Sequence, residues 1–279
     1  MTCTPLVPES TRIGRTALVV SDLDEMIDFY RDVVGLTVQT TSATSATLGA
    51  DETPLLVLDR DADAPPRHRE QAGLFHNAFL VPSRAALGAA LDRIHDRWTL
   101  TGASDHYVSE ALYLDDPEGN GVELYYDRPR DEWERSDDGT IRIGTVPLDL
   151  ADVASQSNGD ARVPPGTSVG HVHLEASSLA TAREFYVETL GFRVTMEMRS
   201  ALFLAAGEYH HHLGINTWNG RSQPAGGRGL AWFELVVSSA EALSAVRHRL
   251  EDADVAVCDR PDGFELADPD GISIRIRVA

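Results

Sequence analysis

The feature that most constrains this chain is an internal repeat. Residues 13–36 read IGRTALVVSDLDEMIDFYRDVVGL, and residues 169–192 read VGHVHLEASSLATAREFYVETLGF. Phe29-Tyr30 returns as Phe185-Tyr186 and Gly35 returns as Gly191, both after 156 residues. Each copy opens with an alternating apolar strand pattern. It then passes a Ser/Asp helix-start region (Ser21, Ser177) and runs into an amphipathic helix that ends at glycine.

A second pair of segments lies between these. GLFHNAFLV (73–81) and GLAWFELVV (229–237) keep the same spacing, and both lead into Ser-Ala-rich helical stretches at 83–95 and 239–251. DPEGNGVELYY (116–126) and DPDGISIRIRV (268–278) close the two halves, with Asp-Pro-x-Gly supplying a tight turn. Here the spacing is 152, so one loop is four residues shorter. The sequence therefore predicts four modules of strand, helix and several strands, at about 13–60, 73–128, 169–220 and 229–279. Residues 129–168 form a long acidic connector with a strand expected at Ile141–Val146. Its loop at 155–168, with Gly159, Pro164, Pro165 and Gly166, suggests a boundary between two domains, 1–150 and 151–279.

Composition narrows the function classes. Of 279 residues 42% are hydrophobic, enough for a buried core. No apolar run approaches the ~20 residues that span a bilayer. The N-terminus MTCTPLVPES lacks the basic and apolar regions of a secretory leader. Cys3 and Cys258 are too few for a disulfide framework, which fits a reducing cytoplasm. There are 44 acidic residues against 24 basic ones, a net charge of −20, and the chain contains no lysine. Such a surface repels nucleic acid and anionic membranes, and it has the character of a halophilic protein kept soluble by carboxylates. No GxSxG, P-loop or dinucleotide fingerprint is present, and neither cysteine has a nearby histidine signature.

The helix endings FYRDVVGL and FYVETLGF, together with DPEGNGVELY, resemble the vicinal-oxygen-chelate superfamily. That superfamily includes glyoxalase I, fosfomycin-resistance proteins and type I extradiol dioxygenases. The segments GLFHNAFLV, DHYVSEALYLDDPEGNGVELYYDRPRDEW, VGHVHL and ALFLAAGEYHHHLGINTW are similar to catechol 2,3-dioxygenases of the CatE type. The resemblance covers nearly the whole chain outside the first dozen residues and the connector. It implies an α+β fold in which four βαβββ modules pair into two open mixed β-barrels with helices outside.

It also implies metal ligands near the start of a module's first strand and on its last strand. Aligning the first strands by the repeat puts Arg15, His76, His171 and Trp232 in one column, and the last strands put Glu123 opposite Arg275. Of these only His76, His171 and Glu123 are good ligands, and two imidazoles with one carboxylate make the facial triad of non-haem Fe(II) oxygenases. Pairing modules two with three, and one with four, gives one complete site and one without ligands. Pairing sequence neighbours would leave both incomplete. The cofactor implied is Fe(II), with Mn(II) an alternative and O2 as co-substrate. The resemblance also implies a small aromatic diol as substrate, opened to a muconic semialdehyde, and family habit implies a homo-oligomer.

Three further residues are expected at the site. In the run His210, His211, His212, read as the end strand of module three, His212 is expected to be the acid–base residue, with His211 the runner-up. Tyr113, ten residues before Glu123 across the turn, is expected to hydrogen-bond a substrate oxygen, and His106 to donate to the substrate. His173, Asn216 and Trp218 are candidates for the cavity wall. Two other readings stay open. One is a glyoxalase-like metal-dependent isomerase or lyase, which needs a fourth protein ligand where this chain has Gly214. The other is a metal-free small-molecule-binding resistance protein.

Overall fold

A computed structural model describes residues 7–137 and 139–279. Cys3 lies outside the described residues; Cys258 is exposed and forms no disulfide. Module one comprises β1 (Arg12–Val20), α1 (Leu23–Phe29), β2 (Thr37–Thr41), β3 (Ser45–Ala50) and β4 (Thr53–Arg60). Module two comprises β5 (Gly73–Leu80), α2 (Arg84–Arg97), β6 (Gly102–Asp105), β7 (Ser109–Asp115) and β8 (Gly121–Asp127). The connector holds β9 (Val146–Pro147) and α3 (Leu150–Ser155). Module three comprises β10 (Ser168–Glu175), α4 (Leu179–Arg183), β11 (Arg193–Met198), β12 (Ala201–Ala205) and β13 (Leu213–Asn216). Module four comprises β14 (Gly229–Val237), α5 (Ala240–Asp252), β15 (Cys258–Arg260), β16 (Gly263–Ala267) and β17 (Ser273–Val278).

The strands make two curled mixed sheets, each forming a half-barrel. One has the order β15-β16-β17-β14-β1-β4-β3-β2 and so joins modules four and one. The other runs β11-β12-β13-β10-β5-β8-β7-β6-β9 and joins modules three and two. This is the pairing that collects His76, Glu123 and His171 in one sheet. In both sheets the first strand of a module pairs in parallel with its last, as β5 does with β8 and β14 with β17. Such pairing needs a crossover, which the module's helix supplies.

The chain also divides into two compact units. One contains the described residues up to Thr16, Pro65–Phe75 and His171–Ala279; the other contains Ala17–Ala64 and His76–Gly170. Both solve the same local problems with repeat-related residues. Helices α1 and α4 each pass into a π-helical turn, at Tyr30–Val34 and Glu184–Thr189, and the chain then leaves through Gly35 at φ 94° and Gly191 at φ 89°. Only glycine takes this left-handed conformation without penalty. The carbonyls freed at these helix ends are capped by arginine. Arg93 donates to the oxygens of Val33 (3.2 Å), Val34 (2.9 Å) and Asp160 (2.7 Å), and its repeat counterpart Arg249 donates to those of Glu188 and Thr189.

The Asp-Pro-x-Gly turns tie each module pair together. The buried Tyr30 hydroxyl donates to Asp116 at 3.0 Å, and the buried Tyr186 hydroxyl donates to Asp268 at 2.9 Å. Burial pushes both carboxyls up to about 6, against the hydrogen bonds that favour their charged forms. Ser21 gives its backbone N–H to Glu118 at 2.7 Å, and Ser177 gives its own to Asp270 at 2.9 Å. The helix caps themselves therefore fall one residue later, on Asp22 and Ser178, which accept from Glu25 and Thr181. The connector departs from expectation in two places, the unexpected helix α3 and the strand. Ile141 makes an isolated bridge with Arg135, and the strand begins only at Val146, pairing with the end of β6.

Candidate metal centre

The parallel register of β5 and β8 sets His76 opposite Gly121 and Ala78 opposite Glu123. Side chains alternate along a strand, so His76, Ala78 and Glu123 share one face. Ala78 is small enough to leave room beside Glu123. Nε2 of His76 stands 3.0 Å from Oε2 of Glu123, and the residues are 6% and 3% exposed. His171, on β10, is 2% exposed. One ligand atom from each of His76, Glu123 and His171 lies within 4.8 Å of the other two. Donors bound to one ion at about 2.1 Å stand roughly 3–4 Å apart, and the His76–Glu123 spacing already has that value. Two imidazoles and a carboxylate, all buried, are a donor set suited to a divalent transition metal.

Tyr113 faces Glu123 directly across the antiparallel β7–β8 pair. Burial, with the Glu123 carboxylate adding to it, holds its phenol well above the ordinary range, so it stays a hydroxyl. Its oxygen lies 2.8 Å from Nε2 of His106, whose Nδ1 lies 2.6 Å from the carbonyl oxygen of Gly144. Gly144 belongs to the connector and contributes only backbone. A Cβ there would come within 2.4 Å of the Tyr107 ring, so the chain can pass this close only as glycine.

The histidine run is not part of a strand. β12 ends at Ala205, the chain turns through Gly207 at φ 60°, and β13 begins only at Leu213. Strict alternation of the three rings therefore does not hold. His212 is tied into the turn: its Nδ1 accepts from the Ala206 N–H at 3.2 Å, and its own N–H donates to the Leu204 oxygen at 2.7 Å. The His211 ring is half-buried and lies 4.2 Å, centroid to centroid, from the His171 ring. Nδ1 of His211 stands 2.7 Å from Nδ1 of His210. Among the wall candidates, Asn216 Nδ2 lies 3.1 Å from Nε2 of His173, and the Phe75, Phe203 and Trp218 rings lie within 5.0–5.7 Å of the His173 ring. The His173 ring fills the space beside Gly214, where a Cβ would sit 2.8 Å from it.

Sequence reasoning did not single out Gly144, Phe75 or Phe203. A backbone carbonyl carries no residue signature, and the two phenylalanines read as ordinary strand residues.

The family model for the glyoxalase/bleomycin resistance protein/dioxygenase superfamily matches residues 12–124 and 168–276. The catechol-2,3-dioxygenase of Bacillus subtilis (strain 168) is 37% identical over 273 residues, covering 94% of this chain and 95% of that protein. A solved structure from Bacillus subtilis subsp. subtilis str. 168 superposes with a TM-score of 0.65 at 13% identity, covering 96% of this chain and 84% of the other. Glyoxalase I from Zea mays superposes with a TM-score of 0.59 at 14% identity, covering 96% and 92%. These structural likenesses show the fold alone. No helix among the described residues is long and apolar enough to cross a membrane. On the family match and the identity along its length, the chain belongs to the glyoxalase/bleomycin resistance protein/dioxygenase superfamily.

Proposed function

We propose that this protein is an Fe(II)-dependent type I extradiol dioxygenase that opens catechol-like diols with O2 to a muconic semialdehyde. The observation that carries this reading is the buried His76–Glu123–His171 group, with ligand atoms within 4.8 Å of one another. The relative named catechol-2,3-dioxygenase supports it. His76, Glu123 and His171 would hold the metal. When bound, Fe(II) supplies a shared centre for the vicinal oxygens and O2 and lowers the pKa of the diol.

The chain's own groups orient the diol and handle protons. The Tyr113 hydroxyl, kept protonated by burial, turns its one proton from Nε2 of His106 to a substrate oxygen when the diol binds. His106, oriented by the Gly144 carbonyl, accepts from Tyr113 or passes a proton to it. His211 is assigned the acid–base role ahead of His212. Its ring lies against His171, whereas Nδ1 of His212 is occupied by the Ala206 N–H. The rings of Phe203 and Phe75 beside His173 provide apolar surface for an aromatic substrate.

Gly214 argues against the isomerase reading, because the fourth-ligand position has no side chain and the His173 ring fills its space. The test is oxygen uptake by protein loaded anaerobically with Fe(II), or in parallel with Mn(II), on adding catechol, with visible absorbance followed in the same cuvette. Oxygen consumption matched by a yellow ring-fission product is expected. No uptake with metal bound would move the assignment to the isomerase or lyase class.

A further inference from the structure

The repeat gives each member of the metal-binding group a counterpart: Arg15 for His171, Trp232 for His76 and Arg275 for Glu123. These three also come together, within one compact unit. The guanidinium carbon of Arg275 lies 3.8 Å from the centroid of the Trp232 ring, and that of Arg15 lies 5.6 Å from it. The register pairs Trp232 with Ser273 and Glu234 with Arg275 between β14 and β17, and Glu265 with Arg275 between β16 and β17. Trp232, Glu234, Arg275, Arg277 and Glu265 therefore share one face.

That face is cationic. Glu234, 1% exposed, accepts from the Arg15 backbone N–H at 2.9 Å and from its Nη2 at 2.5 Å, and lies 3.3 Å from Nε of Arg277. Glu265 takes Nε of Arg275 at 2.8 Å, Nη1 of Arg260 at 2.9 Å and the Ser273 hydroxyl at 2.7 Å. Asp262 also acts on Arg15. Four guanidiniums thus meet two glutamates and one aspartate, an excess of positive charge in a protein of net charge −20. The carboxylate of Glu234 lies underneath, while the side chains of Arg15, Arg275 and Arg277 keep 32%, 21% and 24% of their surface exposed. Arg275 commits only Nε to Glu265, and its Nη groups make no hydrogen bond among the described residues. A guanidinium has no lone pair to give a metal, so this face cannot repeat the chemistry of the other half-barrel.

We infer that this face is an anion site that takes a small carboxylate on the Nη groups of Arg275, with Trp232 as the plate that fixes the guanidinium plane. A planar fork matches a carboxylate in two parallel N–H···O bonds, and stacking on the indole orders the fork before the anion arrives. Arg15 and Arg277 add charge from the same side.

The test is calorimetric titration of the metal-loaded protein with sodium acetate in chloride-free buffer. One saturable site of about 1 mM is expected. Arg275→Gln should weaken it at least tenfold, Arg275→Lys should restore part of it, and Glu123→Ala should leave it in place, which separates it from acetate on the metal. If Arg275→Gln does not fold, Trp232→Phe serves, with severalfold weaker binding expected. Absence of saturable binding, or equal binding by wild type and Arg275→Gln, would overturn the inference and leave the guanidiniums serving only their own carboxylates. Displacement of acetate by chloride at equal affinity would overturn the carboxylate assignment.

Discussion

The Tyr113 hydroxyl stands 2.8 Å from Nε2 of His106, and Nδ1 of the same ring stands 2.6 Å from the Gly144 carbonyl oxygen. A carbonyl can only accept, so Nδ1 carries a proton and Nε2 is the acceptor whenever the ring is neutral. A backbone oxygen from the connector thus sets the tautomer of the ring that holds Tyr113, the residue facing Glu123. Tyr113→Phe and His106→Asn are each expected to lower kcat by about 10²-fold. The double variant should fall little further, because the two groups act as one unit. Additive losses in a double-mutant cycle would show that they act separately.

His211 and His212 make opposite predictions. His211→Ala should slow turnover by ~10²–10⁴-fold while the protein keeps its metal. His212→Ala should keep most of its activity and lose about 1 kcal/mol of stability, the worth of one buried hydrogen bond at Ala206. Steady-state kinetics and urea unfolding of both variants decide this, and the reverse pattern would return the acid–base role to His212.

The module architecture was legible because the repeat is written in residues that do local work. Gly35 and Gly191 are needed where the chain leaves a π-helical turn with positive φ, and the tyrosines before them are needed by Asp116 and Asp268. The grouping of His76, His171 and Glu123 was legible for a related reason: the repeat exposed the few positions where ligand-type residues replace arginine or tryptophan. The histidine run is not the strand its sequence suggests. Three polar residues after a strand carry no sign that Gly207 has already turned the chain. Gly144 was invisible because its contribution is a carbonyl oxygen. The short helix α3 was missed because six residues are too few to show a period.

The buried Tyr30–Asp116 pair makes stability depend on pH with a definite sign. Burial pushes the Asp116 carboxyl up to about 6 in the folded chain, against 3.8 for an exposed aspartate. Between these values the folded state holds a proton the unfolded state has lost, so stability falls as pH rises through the window and levels off above it. The Tyr30 hydroxyl favours the charged carboxylate, so Tyr30→Phe should cost more at pH 7.5 than at pH 5, by about 1 kcal/mol. Equal costs at the two pH values, measured by urea unfolding, would contradict this.

Charge makes a further prediction. Three buried glutamates are each held by two arginines: Glu110 by Arg84 and Arg128, Glu175 by Arg67 and Arg221, and Glu234 by Arg15 and Arg277. These close pairs are screened little by salt, whereas the net charge of −20 repels itself over the surface. Raising KCl from 0.1 to 2 M should therefore raise Tm by at least ~2–4 °C, which is about 1 kcal/mol for a chain of this size. A Tm that falls with salt would mean that exposed ion pairs outweigh the repulsion.

The most direct measurement is the metal content of the purified, Fe(II)-loaded protein beside its His76→Ala, Glu123→Ala and His171→Ala variants. One equivalent per chain is expected in the wild type. Each variant should lose most of its metal after gel filtration while keeping its secondary structure. Full metal retention in any of the three variants, or none in the wild type, would contradict the assignment of these residues as a metal centre.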